Sequence, residues 1–364
     1  MRLYRILSIL VSAMLLAGAA HAGEPFFAFE PDGKQVRVPA DFQAWHPQFE
    51  KDGDYGESWF FLTHAKDGGV LFAMVTVTNL GLRTFDGRID VQYYPASGDP
   101  IKFHAEHKRD EVKASSSGMD TKIAGARAWF DGAYHFSLDQ SGTKINLTLK
   151  NKLPSYMLGD GAVKFGAAKS DVWTIGLGVP AGVSSGTISA GGKTYSLDGY
   201  GYHDHGWSTV KLPEIISKWF TLRLYHDKYS VVLHQQYLTK KFDSKMNNFG
   251  VFGVDGRSVG AMRNFVFNPT SWENHKAGYK IPITFDVAFK VGGYSVKGKL
   301  EMEKFLDGID VLEQVSWPIR VVIKAFYAKP YMYRYIGKYE LDVTAPDGTT
   351  EHISGSSVVE ANYF

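Results

Sequence analysis

The chain has 364 residues, with 40 lysines and arginines against 38 aspartates and glutamates and no cysteine. Without cysteine there are no disulfides, thiolate nucleophiles or cysteine-held metal centres, and a near-neutral surface exerts no long-range pull on phosphate, so nucleic acid is not an expected partner. The length suffices for two domains or one large β domain, and the 14% aromatic share suits strand faces and apolar cavities.

Arg2 and Arg5 precede an apolar run from Ile6 to Ala17 and then Ala20-His21-Ala22. This is the order of a secretory signal peptide cleaved after Ala22, and the run is short of the roughly 20 apolar residues of a bilayer span. Removal of residues 1–22 leaves 38 basic and 38 acidic residues. The expectation is an exported protein, periplasmic or secreted, held together by its core.

Downstream, Glu57–Thr63 and Val70–Thr78 flank Lys66-Asp67-Gly68-Gly69 and read as a hairpin. Further strands are expected at Ile89–Tyr93, Ala126–Phe130, Tyr134–Leu138 and Lys144–Lys150, the last alternating cleanly between polar and apolar residues. The run His104–Glu111 lacks the His-Glu-x-x-His spacing of a metal helix and reads as a solvated loop. In the second half, strands are expected at Trp219–Tyr225, Tyr229–Tyr237, Phe249–Val254, Met262–Phe267, Ile283–Val291, Tyr294–Met302, Tyr339–Val343 and Ile353–Glu360. Short helices are expected at Pro213–Lys218 and Ile319–Tyr327, the second of which also reads as strand. The fold class is all-β, built from antiparallel barrels or sandwiches.

A duplication underlies the pattern. Trp59 and Trp219 open similar hairpins 160 residues apart, and Gly199 and Gly355 open similar closing segments 156 apart, which pairs Asp204 with Glu360. The division that follows is a first β domain over 23–205, a linker over 206–218 and a second β domain over 219–364.

The densest chemistry lies in Gly199-Tyr200-Gly201-Tyr202-His203-Asp204-His205-Gly206-Trp207. On an extended strand Tyr202 and Asp204 point to one face while His203, His205 and Trp207 point to the other. Two imidazoles can exchange protons near neutral pH, and an indole can stack on an apolar or cationic ligand. Asp204 is expected to orient neighbours from the opposite face. Two alternatives stand beside this: histidines satisfied by cross-strand partners, or a metal pair needing a third ligand from His226, His234 or Glu360. The reading adopted uses no metal and no cofactor.

The pattern Gly-x-Gly-Tyr-His-Asp-His-x-Trp resembles the signature of the carotenoid hydratase (hydroxyneurosporene synthase) family, whose relatives include lipocalin-like bacterial proteins and fungal Diels–Alderases. Glu57-Ser58-Trp59-Phe60-Phe61 and Tyr331-Met332-Tyr333-Arg334-Tyr335 also resemble family segments. The resemblance implies two lipocalin-like domains in tandem with the motif at their junction. It carries the family's histidine and tryptophan over to His205 and Trp207. The family reads His-Asn-Trp-Gly where this chain has His205-Gly206-Trp207-Ser208, and the later strand that holds a catalytic aspartate in the hydratases here reads Val231–Tyr237 without one, leaving His234 in its neighbourhood.

The resulting expectation is an exported lipocalin-like protein that binds an apolar isoprenoid, lipid or polyketide-like molecule near residues 199–207 and hydrates, isomerises or cyclises it. His205, His203 and Asp204 are the candidate catalytic residues, and Trp207, Tyr202, His234 and Glu360 the candidate ligand contacts. Peripheral contact with a membrane goes with such a ligand, and the oligomeric state is left open. The alternative is a non-catalytic periplasmic carrier or scaffold in which the motif locks two domains together.

Overall fold

The computed structural model describes residues 43–79, 86–157, 163–165, 171–275, 278–313 and 330–364. The expected signal peptide and the expected helix at 319–327 lie outside these residues.

Almost every described segment is a β-strand, and the strands form two antiparallel sheets. Along the first sheet run Ile101–His107, Asp86–Tyr94, Val70–Thr78, Gly56–Ala65, Gly199–Ser208, Asp171–Ala190, Thr143–Asn151, Tyr134–Gln140, Ala126–Phe130, Asp120–Ile123 and Val112–Ala114. Along the second run Arg257–Met262, Met246–Val254, Tyr229–Leu238, Ile216–Tyr225, Thr350–Tyr363, Tyr331–Thr344, Tyr294–Asp310, Lys280–Val291 and Phe265–Asn274. Each sheet opens with a meander and pairs its first long strand with its last. Each also curls: a β-carbon at Gly87 would lie 2.6 Å from Val112, and one at Gly260 would lie 2.9 Å from Val291. No helix among the described residues is long and apolar enough to cross a membrane.

Alternation along the strands creates three cores. Trp59, Phe61, Val75, Phe136 and Leu147 fill the first sheet's concave side, and Phe220, Leu222, Phe252, Phe285 and Tyr335 fill that of the second. The opposite faces meet each other, so Phe60, Leu62, Phe72 and Trp173 from one sheet share a core with Phe249, Val251 and Val358 from the other. Burial of aromatic and branched side chains on both faces of the central strands is the dominant stabilising term.

Several elements differ from expectation. His104 belongs to the edge strand Ile101–His107, whose residues alternate in exposure; charged residues on an edge strand mimic a loop because they face water and discourage pairing with other chains. The helix after the motif is one turn, Leu212–Ile215, and residues 216–218 already begin the next strand. The motif strand runs on to Ser208, beyond the boundary drawn after His205.

The repeat also has a different register. The cross-strand partner of Asp204 is Phe60 and that of Glu360 is Thr221. If Asp204 matches Glu360, then Phe60 matches Thr221 and Trp59 matches Phe220, not Trp219. Because the side-chain period is two, this one-residue slip puts the two tryptophans on opposite faces: Trp59 lies in the first concave core and Trp219 between the sheets.

Candidate functional site

Gly199–Ser208 is a central strand, hydrogen-bonded to Gly56–Ala65 on one side and Asp171–Ala190 on the other. Its backbone is therefore held on both edges, and its side chains enter two separate environments.

On the concave side, His205 meets Glu57. The His205 Nε2–H donates to Glu57 Oε1 at 2.8 Å, and the His46 Nδ1–H donates to the same oxygen at 2.9 Å. The other oxygen accepts the His46 backbone N–H at 3.1 Å and the Tyr55 hydroxyl. Burial alone would raise the Glu57 carboxyl, but the bonds from His205 and His46 prevail and hold it at about 2. Aromatic rings enclose the group: His205 stacks on Trp59 at 4.7 Å and Trp207 on His46 at 3.6 Å.

His203 lies deeper. Its Nδ1–H donates to the Phe60 carbonyl at 2.8 Å, and Nε2 faces the Gln43 carboxamide at 3.0 Å. Burial pushes its imidazole down to about 3, so it is neutral. The ring packs on Phe61 and Tyr134. A β-carbon at Gly178 would sit 2.6 Å from it, which is why that position of the long strand carries no side chain.

The opposite face turns to the second sheet. The Trp219 indole N–H donates to His234 Nδ1 at 3.2 Å. An indole nitrogen is a donor only, so Nδ1 is the acceptor and the proton of neutral His234 sits on Nε2. That nitrogen lies 3.2 Å from the Tyr202 hydroxyl, which donates in turn to Asp204 Oδ2 at 2.6 Å. The result is a directed chain, Trp219 to His234 to Tyr202 to Asp204, that crosses between the sheets. Burial drives His234 well below the usual histidine range, and the Arg223 charge adds to this. Burial pushes the Asp204 carboxyl up to about 6 against the opposing pull of Arg223 and the Tyr202 bond. Tyr202 and His234 have no accessible surface, whereas Asp204 retains 9%.

Beside this chain lies a buried ionic cluster. Glu360 accepts the Arg223 Nη1–H at 2.7 Å and the Arg334 Nε–H at 3.0 Å. The Arg334 Nη1–H reaches Gln92 of the first sheet at 2.6 Å, and Arg223 lies 4.2 Å above the Tyr202 ring. Burial would raise the Glu360 carboxyl, but the two guanidinium charges lower it.

The structure thus divides the sequence-derived residues into two groups. His205, Trp207 and His203 face the first core; Tyr202 and Asp204 of the first sheet meet His234 and Glu360 of the second between the two sheets. The donor atoms of His46, Glu57 and His205 lie within 4.8 Å of one another, so among the described residues it is His46 and Glu57, and not His226, His234 or Glu360, that are grouped with His205 closely enough to share a cation. His226 accepts the Lys228 backbone N–H at 3.3 Å on the second sheet.

Sequence reasoning missed His46 and Glu57. Glu57 could have been found, because it is two residues from Trp59 and so on the same inward face, where an acid needs donors. His46 comes from the irregular lead-in Gln43–Tyr55, which carries no periodic signal.

Two curled antiparallel sheets, each around its own aromatic core and joined by a third, define a lipocalin-like all-β protein. The chain belongs to the Svf1 family, whose sequence profile matches residues 57–364. No curated protein matches it in sequence. Among solved structures it is similar to CghA with Sch210972, at a TM-score of 0.63 and 10% identity over 86% of this chain and 89% of that one. It is also similar to a candidate AttH protein from Nitrosomonas europaea (TM-score 0.61, 14% identity, 92% and 99% covered). A third similar structure is kievitone hydratase from Nectria haematococca (TM-score 0.55, 12% identity, 93% and 98% covered). At these identities the likeness establishes the fold, and it is the lipocalin-like fold that the 199–207 motif implied.

Proposed function

We propose that this protein binds an apolar small molecule between its two sheets and that Asp204 is the acid that acts on it, in hydration, isomerisation or cyclisation of an unsaturated carbon skeleton. The observation that carries the reading is the directed chain from Trp219 through His234 and Tyr202 to Asp204, buried among aromatic side chains of both sheets. Protonating an alkene carbon takes a neutral acid in a surround that shields the cation. Burial favours the neutral form of Asp204, and Phe60, Trp173 and Phe249 are the apolar neighbours of this face.

In the step, the carboxyl O–H bond breaks as a C–H bond forms. Attack by water, loss of an adjacent proton, or attack by an internal alkene followed by proton loss then quenches the cation. In each case one proton returns to the carboxylate, which the Tyr202 hydroxyl and the Arg223 charge stabilise meanwhile. If residues 1–22 act as a signal peptide, this chemistry would take place outside the cytoplasm.

A second reading rests on a different observation. The Arg223–Glu360–Arg334 cluster and its bond to Gln92 tie the sheets together, as a non-catalytic carrier or scaffold would require. To separate the two, the mature wild type and Asp204→Asn are purified and their extracted small molecules identified by mass spectrometry. The wild type is expected to carry a converted product and the variant its unconverted precursor. The same molecule in both refutes the acid role and leaves the carrier; empty extracts from both refute binding.

A further inference from the structure

We infer that a row of buried amides flanking Trp219, the first member of the chain that leads to Asp204, recognises a ligand whose polar end is a carboxamide or an undissociated carboxylic acid. The inference rests on the inter-sheet binding proposed above. In the second sheet Asn362 pairs with Trp219, Trp219 with Gln236, and Gln236 with Asn247. These four side chains therefore form one row across four neighbouring strands. The row faces the first sheet, because Trp219 meets Trp173 edge-on at 5.7 Å and His234, two residues from Gln236, reaches Tyr202.

Gln236, Asn247 and Asn362 are 0%, 2% and 8% exposed. The Asn247 Nδ2–H donates to Gln236 Oε1 at 2.7 Å. Gln236 Nε2, Asn247 Oδ1 and Asn362 Oδ1 are buried and have no partner, a rare condition for buried polar atoms. Turning both amides of the Gln236–Asn247 pair over preserves their mutual bond and frees the opposite halves. In either orientation one NH2 and one carbonyl remain.

A ligand that completes the pair must present an acceptor and a donor side by side. A carboxamide or a carboxylic acid does so, with C=O facing the amide N–H and N–H or O–H facing the amide carbonyl. An ester offers only acceptors and leaves the protein carbonyl unpaired. A hydrocarbon pairs with neither. The apolar remainder of the ligand would lie along Trp219, Trp173 and Phe249.

The test is calorimetric titration of the mature protein with decanamide, decanoic acid at acidic pH, and methyl decanoate, which share one chain length. Decanamide is expected to bind about tenfold to a hundredfold more tightly than methyl decanoate, with the undissociated acid close to the amide. The double variant Gln236→Met with Asn247→Leu removes both amides together and leaves no new unpartnered group, so it is expected to fold; a cooperative melt checks this. In that variant the amide-over-ester preference is expected to vanish, with both probes still binding through their apolar chains. Equal wild-type affinities for amide and ester would mean that water alone fills the row, and would overturn the inference while leaving apolar binding intact. A preference that survives the double variant would also overturn it. If no probe binds the wild type, the binding proposal falls with it.

Discussion

Asp204→Asn is expected to stabilise the protein near neutral pH, and the size of the gain should vanish in acid. In the folded chain burial lifts the Asp204 carboxyl from 3.8 to about 6. The folded state thus binds this proton more tightly than the unfolded state does. The group's contribution is greatest below the unfolded value and declines as pH rises through the interval from 3.8 to about 6. Above that interval the penalty is constant, about 3 kcal/mol at 1.36 kcal/mol per pH unit. Asparagine keeps an oxygen to accept the Tyr202 hydroxyl and is neutral at every pH, so the variant resembles the protonated aspartate. Urea unfolding of both proteins between about pH 4 and pH 8 measures the difference directly. The variant should match wild type at the acidic end and exceed it by about 3 kcal/mol at the other. A difference that does not change with pH would refute the claim that Asp204 is held as a weak acid, and with it the physical basis of the proposed catalysis.

Glu57→Gln should give the opposite slope: hydrogen bonds lower Glu57 from 4.5 to about 2, so the wild-type advantage is full above pH 4.5 and is lost as pH falls toward 2, as denaturation midpoints across that range would reveal. Glu360→Ala leaves two buried guanidinium groups without their shared carboxylate and should destabilise by about 3–5 kcal/mol, whereas Glu360→Gln, which can still accept from Arg223 or Arg334, should lose less in the same thermal assay.

The strands that sequence made visible are those whose two faces differ, or whose residues are β-branched and aromatic throughout. Lys144–Lys150 alternates, and its strand extends only to Thr143–Asn151. The largest omission is Asp171–Ala190, a central strand of 20 residues. Its glycines at 176, 178, 182 and 186 and Pro180 read as loop. In the fold they serve irregular pairing instead: the register shifts twice between Leu177 and Gly182, and at Gly178 the strand leaves room for His203. Composition signals a turn wherever glycine accumulates, and it cannot tell a turn from a bulged strand in the middle of a sheet. The site was half legible for a related reason. Alternation assigned Tyr202 and Asp204 to one face and the histidines to the other, but the partners of each face come from separate segments, so only the fold could bring Glu57 to His205 or His234 to Tyr202.

That separation gives the motif its chemical character. One strand delivers His205 to a carboxylate on one face and a carboxylate of its own, Asp204, to the other, and the two acids are held far apart in strength at similar burial. Glu57 accepts donors on both oxygens from His46, His205 and Tyr55, and its charge is stabilised. Asp204 is met by one hydroxyl and the charge of Arg223, which does not offset its burial. Environments that push two carboxyl groups in opposite directions assign them different work. The lowered one, Glu57, anchors His46, His205 and the Gln43–Tyr55 lead-in against the first sheet, and the raised one, Asp204, is turned toward the second sheet, where the proposed proton transfer would take place. A single-residue change of register in this strand would exchange the two faces and abolish both, which is a physical reason for the strand to be fixed by neighbours on each edge.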